Sequence, residues 1–386
     1  MLSVGKAAAD MARAIEHSTP AGVEAGLAIG LGPAPLLPPV VRWVEGSHPL
    51  PDERSVEAGR RALDLAARVP RDGRLLVLLS GGASSLMAVP APGIMLAEKR
   101  ETTRRLLLAG ADIHGLNTVR KHMSAIKGGR LAAACAAPVL TMAVSDVIGD
   151  DLGAIGSGPA GPDPSTFSDA LRQLDAFGGR GAYPPGIVAL LEAGLRGEAP
   201  ETPKPGDPRL ASVSAVVIGS RHTAAAGAAA MADSLGYRTR ILPDPVVGEA
   251  RAAGPRFVSE AVREAAGGPA PTCVIGTGET IVRVTGAGLG GRNQEVVLSA
   301  AGALAGLTRP AALLSGGTDG IDGPTPAAGA ICDVETICRA RRAGLGAPAD
   351  ALDENDAFHF FEALGDLVVT GPTGTNVGDL VIFLAC

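Results

Sequence analysis

The sequence predicts an α/β fold: two α/β domains with mostly parallel sheets flanked by helices. Three observations lead there. The 386 residues exceed what one hydrophobic core usually serves. Short continuous apolar runs, ended by Gly, Ser, Asp or Thr, alternate with Ala-rich stretches of helical spacing. One Pro-rich, charged segment with no apolar period interrupts that alternation.

The strands come first. Arg74–Gly82, Pro138–Asp146, Ser214–Ser220, Thr272–Glu279, Ala311–Gly320 and Asp379–Leu384 are unbroken hydrophobic runs. Unbroken runs, rather than alternating ones, suit strands covered on both faces. Ser55–Val69, Glu98–Gly110 and His222–Gly236 space their apolar residues by three and four, as helices do. Val282–Gly288 reads instead as the second arm of a hairpin. Gly197–Ala211 carries four prolines among charges and reads as an exposed, stiff linker. The domains are therefore set at 1–200 and 210–386, with Ala265–Thr272 a weaker second junction. No internal repeat is visible.

Composition bounds the function. Hydrophobic residues make up 46% and charged ones 19%, enough for two cores and too apolar for a disordered chain. Aromatics are only 3%, so Ala, Val and Leu must fill those cores. A net charge of −6 argues against nucleic acid as a partner, but a local basic cluster still suffices for a small anion. The five cysteines include no CxxC pair, which points to reduced thiols and a cytoplasmic protein. The N-terminus has no apolar signal region, and the apolar stretch Ala21–Val44 is broken by Gly, Pro and Glu24. No membrane partner is expected.

Chemistry concentrates where strands end, the place where open α/β sheets bind ligands. After the Arg74–Gly82 run come Ser80, Gly81, Gly82, Ser84 and Ser85. Glycines let backbone amides approach an anion, and the next helix start points its free N–H groups there; a capped tight turn is the plainer reading. Leu116–Ala132 gathers Arg120, Lys121, His122, Lys127 and Arg130 in an otherwise acidic chain. Such a cluster neutralises a phosphate or carboxylate, or forms a solvated helix face. Asp146 ends an apolar strand directly, ahead of Asp150, Asp151 and a Gly-Ser-Gly turn at Ser157. A strand-end carboxylate can hold Mg²⁺ or accept a hydroxyl proton.

The second half repeats the pattern. Gly276–Leu304 contains Glu279, Arg292, Asn293, Gln294 and Glu295, with Gly286, Gly288 and Gly291 matching GxGxxG. That is a dinucleotide fingerprint without a clear acidic residue about twenty positions on, or else a glycine turn delivering Arg292 to a phosphate. Thr318, Asp319 and Asp322 follow a strand, and Thr373, Thr375 and Asn376 lie on a later glycine loop. Hydroxyls and carboxylates on such loops suit nucleotide phosphates and Mg²⁺. Walker A, HExxH and GxSxG patterns are absent, which removes P-loop, zincin and common hydrolase readings.

Taken in order, GKAAADMA, GSHPLPDERSVEAG, SGGASSL, LNTVRKHMSAIKGGRLA, SDVIGDDLGAIGSGP, GGRNQE, SGGTDGIDGPTPAAGA and GPTGTNVGDL resemble the glycerate 2-kinase family with its MOFRL domain. The resemblance runs from Gly5 to Leu384. It implies an N-terminal Rossmann-like domain, a C-terminal domain with the MOFRL-like region at about 272–386, and an active site in the cleft between domains. It implies ATP-dependent, Mg²⁺-assisted phosphorylation of D-glycerate at the 2-hydroxyl. Lys6 of GKA and Arg292 of GGRNQE would be central, with Asp146 as the third catalytic candidate. Ser80, Gly81, Gly82, Ser84, Ser85, Lys121, Lys127 and Ser157 would bind substrate or phosphate. Glu279, Asn293, Glu295, Thr318, Asp319, Asp322, Thr375 and Asn376 would line the nucleotide side, and Asp146 and Asp319 would be the metal candidates.

Similar proteins carry a helix and a strand before GKA, whereas only Met1–Val4 precede it here. The expectation is a domain lacking its first elements: either the start is mis-assigned or truncated, or Lys6 hangs on a frayed terminus. Two other functions stay open: an NAD(P)H-dependent hydroxypyruvate reductase, on the glycine pattern, and a non-catalytic hydroxy-acid binder. A homodimer is compatible with the sequence, which does not set the oligomeric state.

Overall fold

The computed structural model describes residues 1–18, 22–266 and 271–386. It divides into two compact units, Met1–Ile218 and Gly219–Cys386.

The first unit is built on β1 (Leu2–Val4), β2 (Gly26–Gly30), β3 (Val41–Glu45), β4 (Leu75–Leu79), β5 (Val139–Val144) and β6 (Val213–Gly219), in the order β3-β2-β1-β4-β5-β6. The pairs from β3 through β5 are all parallel. Its helices are α1 (Ala8–Ser18), α2 (Glu53–Arg68), α3 (Ala83–Leu86), α4 (Leu96–Leu108), α5 (Ile113–His122), α6 (Arg130–Ala133), α7 (Phe167–Ala176) and α8 (Pro185–Leu195). Asp52 starts α2 by accepting from the backbone N–H groups of Arg54 and Ser55. The helix then sets Ala58, Ala62 and Ala66 on one face, against Leu75, Val77 and Leu79. A second apolar cluster joins α4, α5, α7 and α8 through Leu106, Val119, Leu171 and Ile187.

The expected frayed terminus is corrected here. Leu2–Val4 form a central strand, buried along its length, with Val4 opposite Ile29 on one side and Leu79 on the other. The terminal ammonium donates to Ala25 O at 2.7 Å. Three residues are too few for a sequence period to reveal, and only pairing with two distant strands makes them a strand.

The second unit has β7 (Arg238–Ile241), β8 (Val246–Glu249), β9 (Thr272–Ile281), β10 (Ala311–Gly317), β11 (Gly329–Asp333), β12 (Leu367–Val368) and β13 (Asp379–Ala385). Their order is β12-β11-β10-β13-β9-β7, with β8 also on β9. The two-unit α/β class holds, but this sheet is mixed rather than mostly parallel. β7 and β8 run parallel to β9, while the pairs from β9 through β12 are antiparallel. The reason is β13, which inserts between β9 and β10; a fully buried run looks the same in either direction. The helices are α9 (Arg221–Ser234), α10 (Ala250–Ala265), α11 (Arg292–Ala305), α12 (Thr336–Arg342), α13 (Pro348–Asp353) and α14 (Ala357–Leu364). Phe257 of α10 and Val296 and Leu304 of α11 join Val381 and Phe383 in the core.

Two further expectations differ. Val282–Gly288 is no strand: the N–H groups of Thr285 and Gly286 go to Asn355 Oδ1 at 2.7 and 2.8 Å, away from any ladder. Gly197–Ala211 is tied to the first unit rather than free. Glu201 accepts from His122 Nε2 at 2.9 Å, Thr202 Oγ1 donates to Asp163 Oδ2 at 3.0 Å, and Lys204 Nζ donates to Ser165 O. The units divide downstream of it, after Ile218. Of the weaker junction Ala265–Thr272, residues 267–270 lie outside the described residues. No helix among the described residues is long and apolar enough to cross a membrane.

Candidate active site

In the first unit β1 and β4 are neighbours, so their C-terminal ends present Gly5–Lys6 and Ser80–Gly82 side by side. Lys6 N donates to Gly81 O at 2.9 Å and Ala7 N to Ser80 Oγ at 3.1 Å. Gly5 has φ +128, and a Cβ there would lie 2.1 Å from Ser80 Oγ, so only glycine permits this approach. The exposed Lys6 is thus carried by a turn stapled to the Ser80 loop. Burial, and then the Lys6 charge, push the His48 imidazole below its ordinary value.

Beyond Gly82 the short α3 carries Ser84 into a polar knot. Lys127 Nζ donates to Ser84 O at 2.7 Å, to Ser84 Oγ at 2.8 Å and to Gly156 O at 3.3 Å. Ser84 Oγ lies 2.9 Å from Ser157 Oγ, which donates to Asn117 Oδ1 at 2.9 Å. Ser157 sits at φ 60 between Gly156 and Gly158, also left-handed. Ser157 is buried in this conformation. Half-buried Asp146 follows β5 after Ser145. Ser85 and Lys121 are engaged elsewhere: Ser85 Oγ donates to Pro49 O at 2.8 Å, and Lys121 Nζ pairs with Asp163 at 3.3 Å.

The second unit holds Arg292 as the first residue of α11. Its Nε and Nη2 meet the two Asp379 oxygens at 2.6 and 3.0 Å, and Nη1 meets Glu279 Oε1 at 2.8 Å. Register explains the convergence: Asp379 opens β13 opposite Gly278, the neighbour of Glu279 on β9. Burial works against the Arg292 charge, but the hydrogen bonds and charge of Asp379, with Glu279, outweigh it and raise its pKa.

Asp322 caps α11 from a distant loop. It accepts from the backbone N–H groups of Asn293 and Gln294 at 3.0 and 2.9 Å and from both side-chain amides. Burial raises its carboxyl pKa, against the lowering effect of those bonds. Asn293 Oδ1 accepts from Ser315 at 2.6 Å, and Glu295 accepts from Asn355 Nδ2 at 2.6 Å. Asn293, Glu295 and Asp322 are thus buried and internally engaged, where the sequence expected them on the nucleotide side. Thr318 knits two loops: its Oγ1 donates to Gly378 O at 2.7 Å, and Thr373 Oγ1 donates to its carbonyl at 2.6 Å. Asp319 Oδ1 accepts from Ile321 N at 3.1 Å, Thr375 N donates to Thr373 Oγ1 at 3.4 Å, and Asn376 Oδ1 accepts from Gly378 N at 3.1 Å.

A family described as a domain of unknown function, DUF4147, matches residues 1–192, and the MOFRL family matches residues 272–379. The glycerate 2-kinase of Pyrococcus horikoshii is 39% identical over 99% of this chain and 86% of its own. The D-glycerate 2-kinase of Thermotoga maritima is 39% identical over 100% of this chain and 90% of its own. The chain belongs to the glycerate kinase family. The crystal structure of glycerate kinase from Thermotoga maritima superposes with a TM-score of 0.88 at 38% identity, covering 100% of this chain and 91% of that one.

For a glycerate kinase family member, the sequence-derived residues sort by what they touch. Lys6 with Ser80–Gly82, Ser84 with Lys127 and Ser157, and Arg292 with Glu279 are each brought together. The glycine pattern lacks a dinucleotide fingerprint's tight strand-to-helix turn: β9 ends at Ile281, five residues before Gly286, and Gly286 and Gly288 pack on Glu354 and Asp356. Sequence reasoning missed Asp379, which opens the last apolar run and could have been found as the acid at that strand end. It also missed Lys99, which shares a buried helix face with Thr102 and Leu106. A lysine at that spacing, where a leucine belongs, was the available signal.

Proposed function

We propose that the chain catalyses ATP-dependent phosphorylation of D-glycerate at the 2-hydroxyl, giving 2-phosphoglycerate and ADP. The observation that carries this is Arg292, fixed by two carboxylates at the first turn of α11, in a chain alike over its whole length to D-glycerate 2-kinases. A guanidinium locked in place at a helix N-terminus is preorganised for a phosphoryl group.

The 2-hydroxyl oxygen attacks the terminal phosphorus of ATP. That phosphorus–oxygen bond to ADP breaks, and the hydroxyl proton passes to Asp146 and on to solvent. Lys6 and Arg292 neutralise charge on the group in transfer. The Ser80–Ser84 loop, Lys127 and Ser157 hold the substrate side, and Thr318, Asp319, Thr375 and Asn376 the nucleotide side. Mg²⁺ would be held by Asp319. Among the described residues no three His, Cys, Asp or Glu side chains converge on a metal position. A hard cation bound with nucleotide phosphates needs only one or two carboxylates, and the Asp319 loop offers oxygen donors throughout. When bound, the ion neutralises phosphate charge.

The test is phosphorus NMR of the protein with ATP, Mg²⁺ and D-glycerate. A new phosphomonoester signal that enolase removes supports transfer to the 2-hydroxyl. A signal that enolase leaves untouched moves attack to the 3-hydroxyl, and no product overturns the kinase reading.

A further inference from the structure

We propose that a cavity of the first unit, walled on one side by α5, takes the adenine nucleoside of ATP. This rests on the glycerate kinase reading and names where one part of its nucleotide binds.

The observation is a cavity with one polar wall and one apolar wall. It measures about 690 Å³. Sites of about 300–1,000 Å³ take ligands of drug size, and a three-carbon acid would leave most of this one empty. His114, Asn117, Thr118 and Lys121 line it and follow the spacing of one helix face, so α5 turns them to the cavity together. Leu116 and Val119, off that face, pack instead with Leu106 and Leu171. The apolar wall includes Leu152, Pro162 and Val213. A flat ring system with hydrogen-bonding groups along its edge fits such a pair of walls, the edge read by polar side chains and the faces covered by apolar ones.

Donors and charges narrow the ligand. Asn117 is 4% exposed. Its Oδ1 accepts from Ser157 Oγ at 2.9 Å, while its Nδ2 makes no hydrogen bond among the described residues. A buried amide donor without a partner is costly unless an incoming group accepts from it, and a ring nitrogen of a base does so. Lys121 Nζ spends one hydrogen on Asp163 at 3.3 Å and keeps the others. Asp151 Oδ1 accepts from Gly153 N at 2.8 Å, which leaves Oδ2 to accept from an exocyclic amine. The other charges along the cavity are answered within the protein: Lys121 by Asp163, Lys204 by Glu201 and Asp207 by Arg209. A carboxylate or phosphate there would meet no unanswered cation, whereas an uncharged base meets donors, an acceptor and an apolar wall. The loops of Thr318, Asp319, Thr375 and Asn376 offer hydroxyls, an amide and a carboxylate, a set that suits phosphates and Mg²⁺ rather than a base.

The experiment compares wild type with Asn117→Asp and Ala215→Trp. Asn117→Asp keeps the oxygen that accepts from Ser157 and turns the unused amide donor into an acceptor. Ala215→Trp adds bulk to the cavity from an exposed position on β6. Each protein is read by KM for ATP and for D-glycerate, by inhibition with adenosine, and by thermal melting with adenosine or D-glycerate. In wild type, adenosine should raise the melting temperature and compete with ATP. Both variants should raise KM for ATP by about 10–100-fold and lose the adenosine effects, with KM for D-glycerate moving far less. Melting without ligand shows whether either variant folds, and the near-isosteric Asn117→Asp decides if Ala215→Trp does not. Wild type indifferent to adenosine overturns the proposal. So does Asn117→Asp with unchanged responses to ATP and adenosine, or a rise confined to KM for D-glycerate, which would put the hydroxy acid in the cavity. Wild type that makes no phosphoglycerate overturns the kinase reading instead, and adenosine-dependent melting of the three proteins then judges the cavity alone.

Discussion

Arg292 joins a proposed catalytic role to an observed structural one. Arg292→Ala should lower kcat by about 10²–10³ if the guanidinium stabilises the transferring group. It should also destabilise the second unit, because buried Asp379 and nearby Glu279 lose their shared cation. Arg292→Lys separates the effects: a charge remains for Asp379, so melting recovers, while kcat stays low because an ammonium cannot span both Asp379 oxygens. Steady-state kinetics beside melting curves check this. Lys99 gives a pH prediction. With its folded pKa at about 7, below the usual 10.5, the folded chain binds fewer protons than the unfolded chain between those values. Stability from this group therefore rises with pH across that window, and below about pH 7 the burial cost is carried in full. Ligand-free Lys99→Met should lose this slope in urea unfolding, gaining on the order of a few kcal/mol over wild type near neutral pH.

Local structure followed wherever a segment's own pattern matched its environment. α2 and α4 and the long buried strands lie where apolar spacing put them. Gly197–Ala211 did not follow its composition, because its charges and hydroxyls found buried partners in the first unit. Burial pushes the Glu201 carboxyl up, but the hydrogen bonds of His122 and the Thr202 N–H outweigh it and hold it at about 2. A carboxylate lowered on folding stabilises above its ordinary range, and that contribution fades as pH falls from about 4.5 to about 2. Glu201→Gln should cost roughly 1 kcal/mol at pH 7, since half-exposure screens the pair, and should flatten the acid limb of stability. Limited proteolysis should cut 197–211 faster in this variant; an unchanged rate would show that the prolines alone hold the segment.

At the scale of the molecule, a consequential element is only three residues long. β1 joins β2 to β4, and Leu2 and Val4 are fully buried between them. Deleting Met1–Val4 forfeits about 1.5–3 kcal/mol for each apolar side chain and leaves the inner faces of β2 and β4 unpaired. Loss of soluble, folded protein is expected, by far-UV circular dichroism on whatever can be purified. A folded deletion variant would mean that β2 and β4 can close the gap. The second unit should be spared, because its core is assembled from α10, α11 and its own sheet.

The sequence by itself determined the α/β class, the two units, the long strands, the family and the stretches holding Lys6, Ser84, Lys127, Ser157 and Arg292. Each was legible because it depends on local period or on residues close in the chain. Tertiary structure alone decided what depends on distant pairing. The antiparallel insertion of β13 set Asp379 against Arg292 across 87 positions. The same kind of long-range closure turned Met1–Val4 into a central strand and took Asp322 inside as a helix cap. Whether a charged side chain serves a ligand or its own fold depends on which partner folding brings within about 3 Å, and that distance is not written in any local pattern.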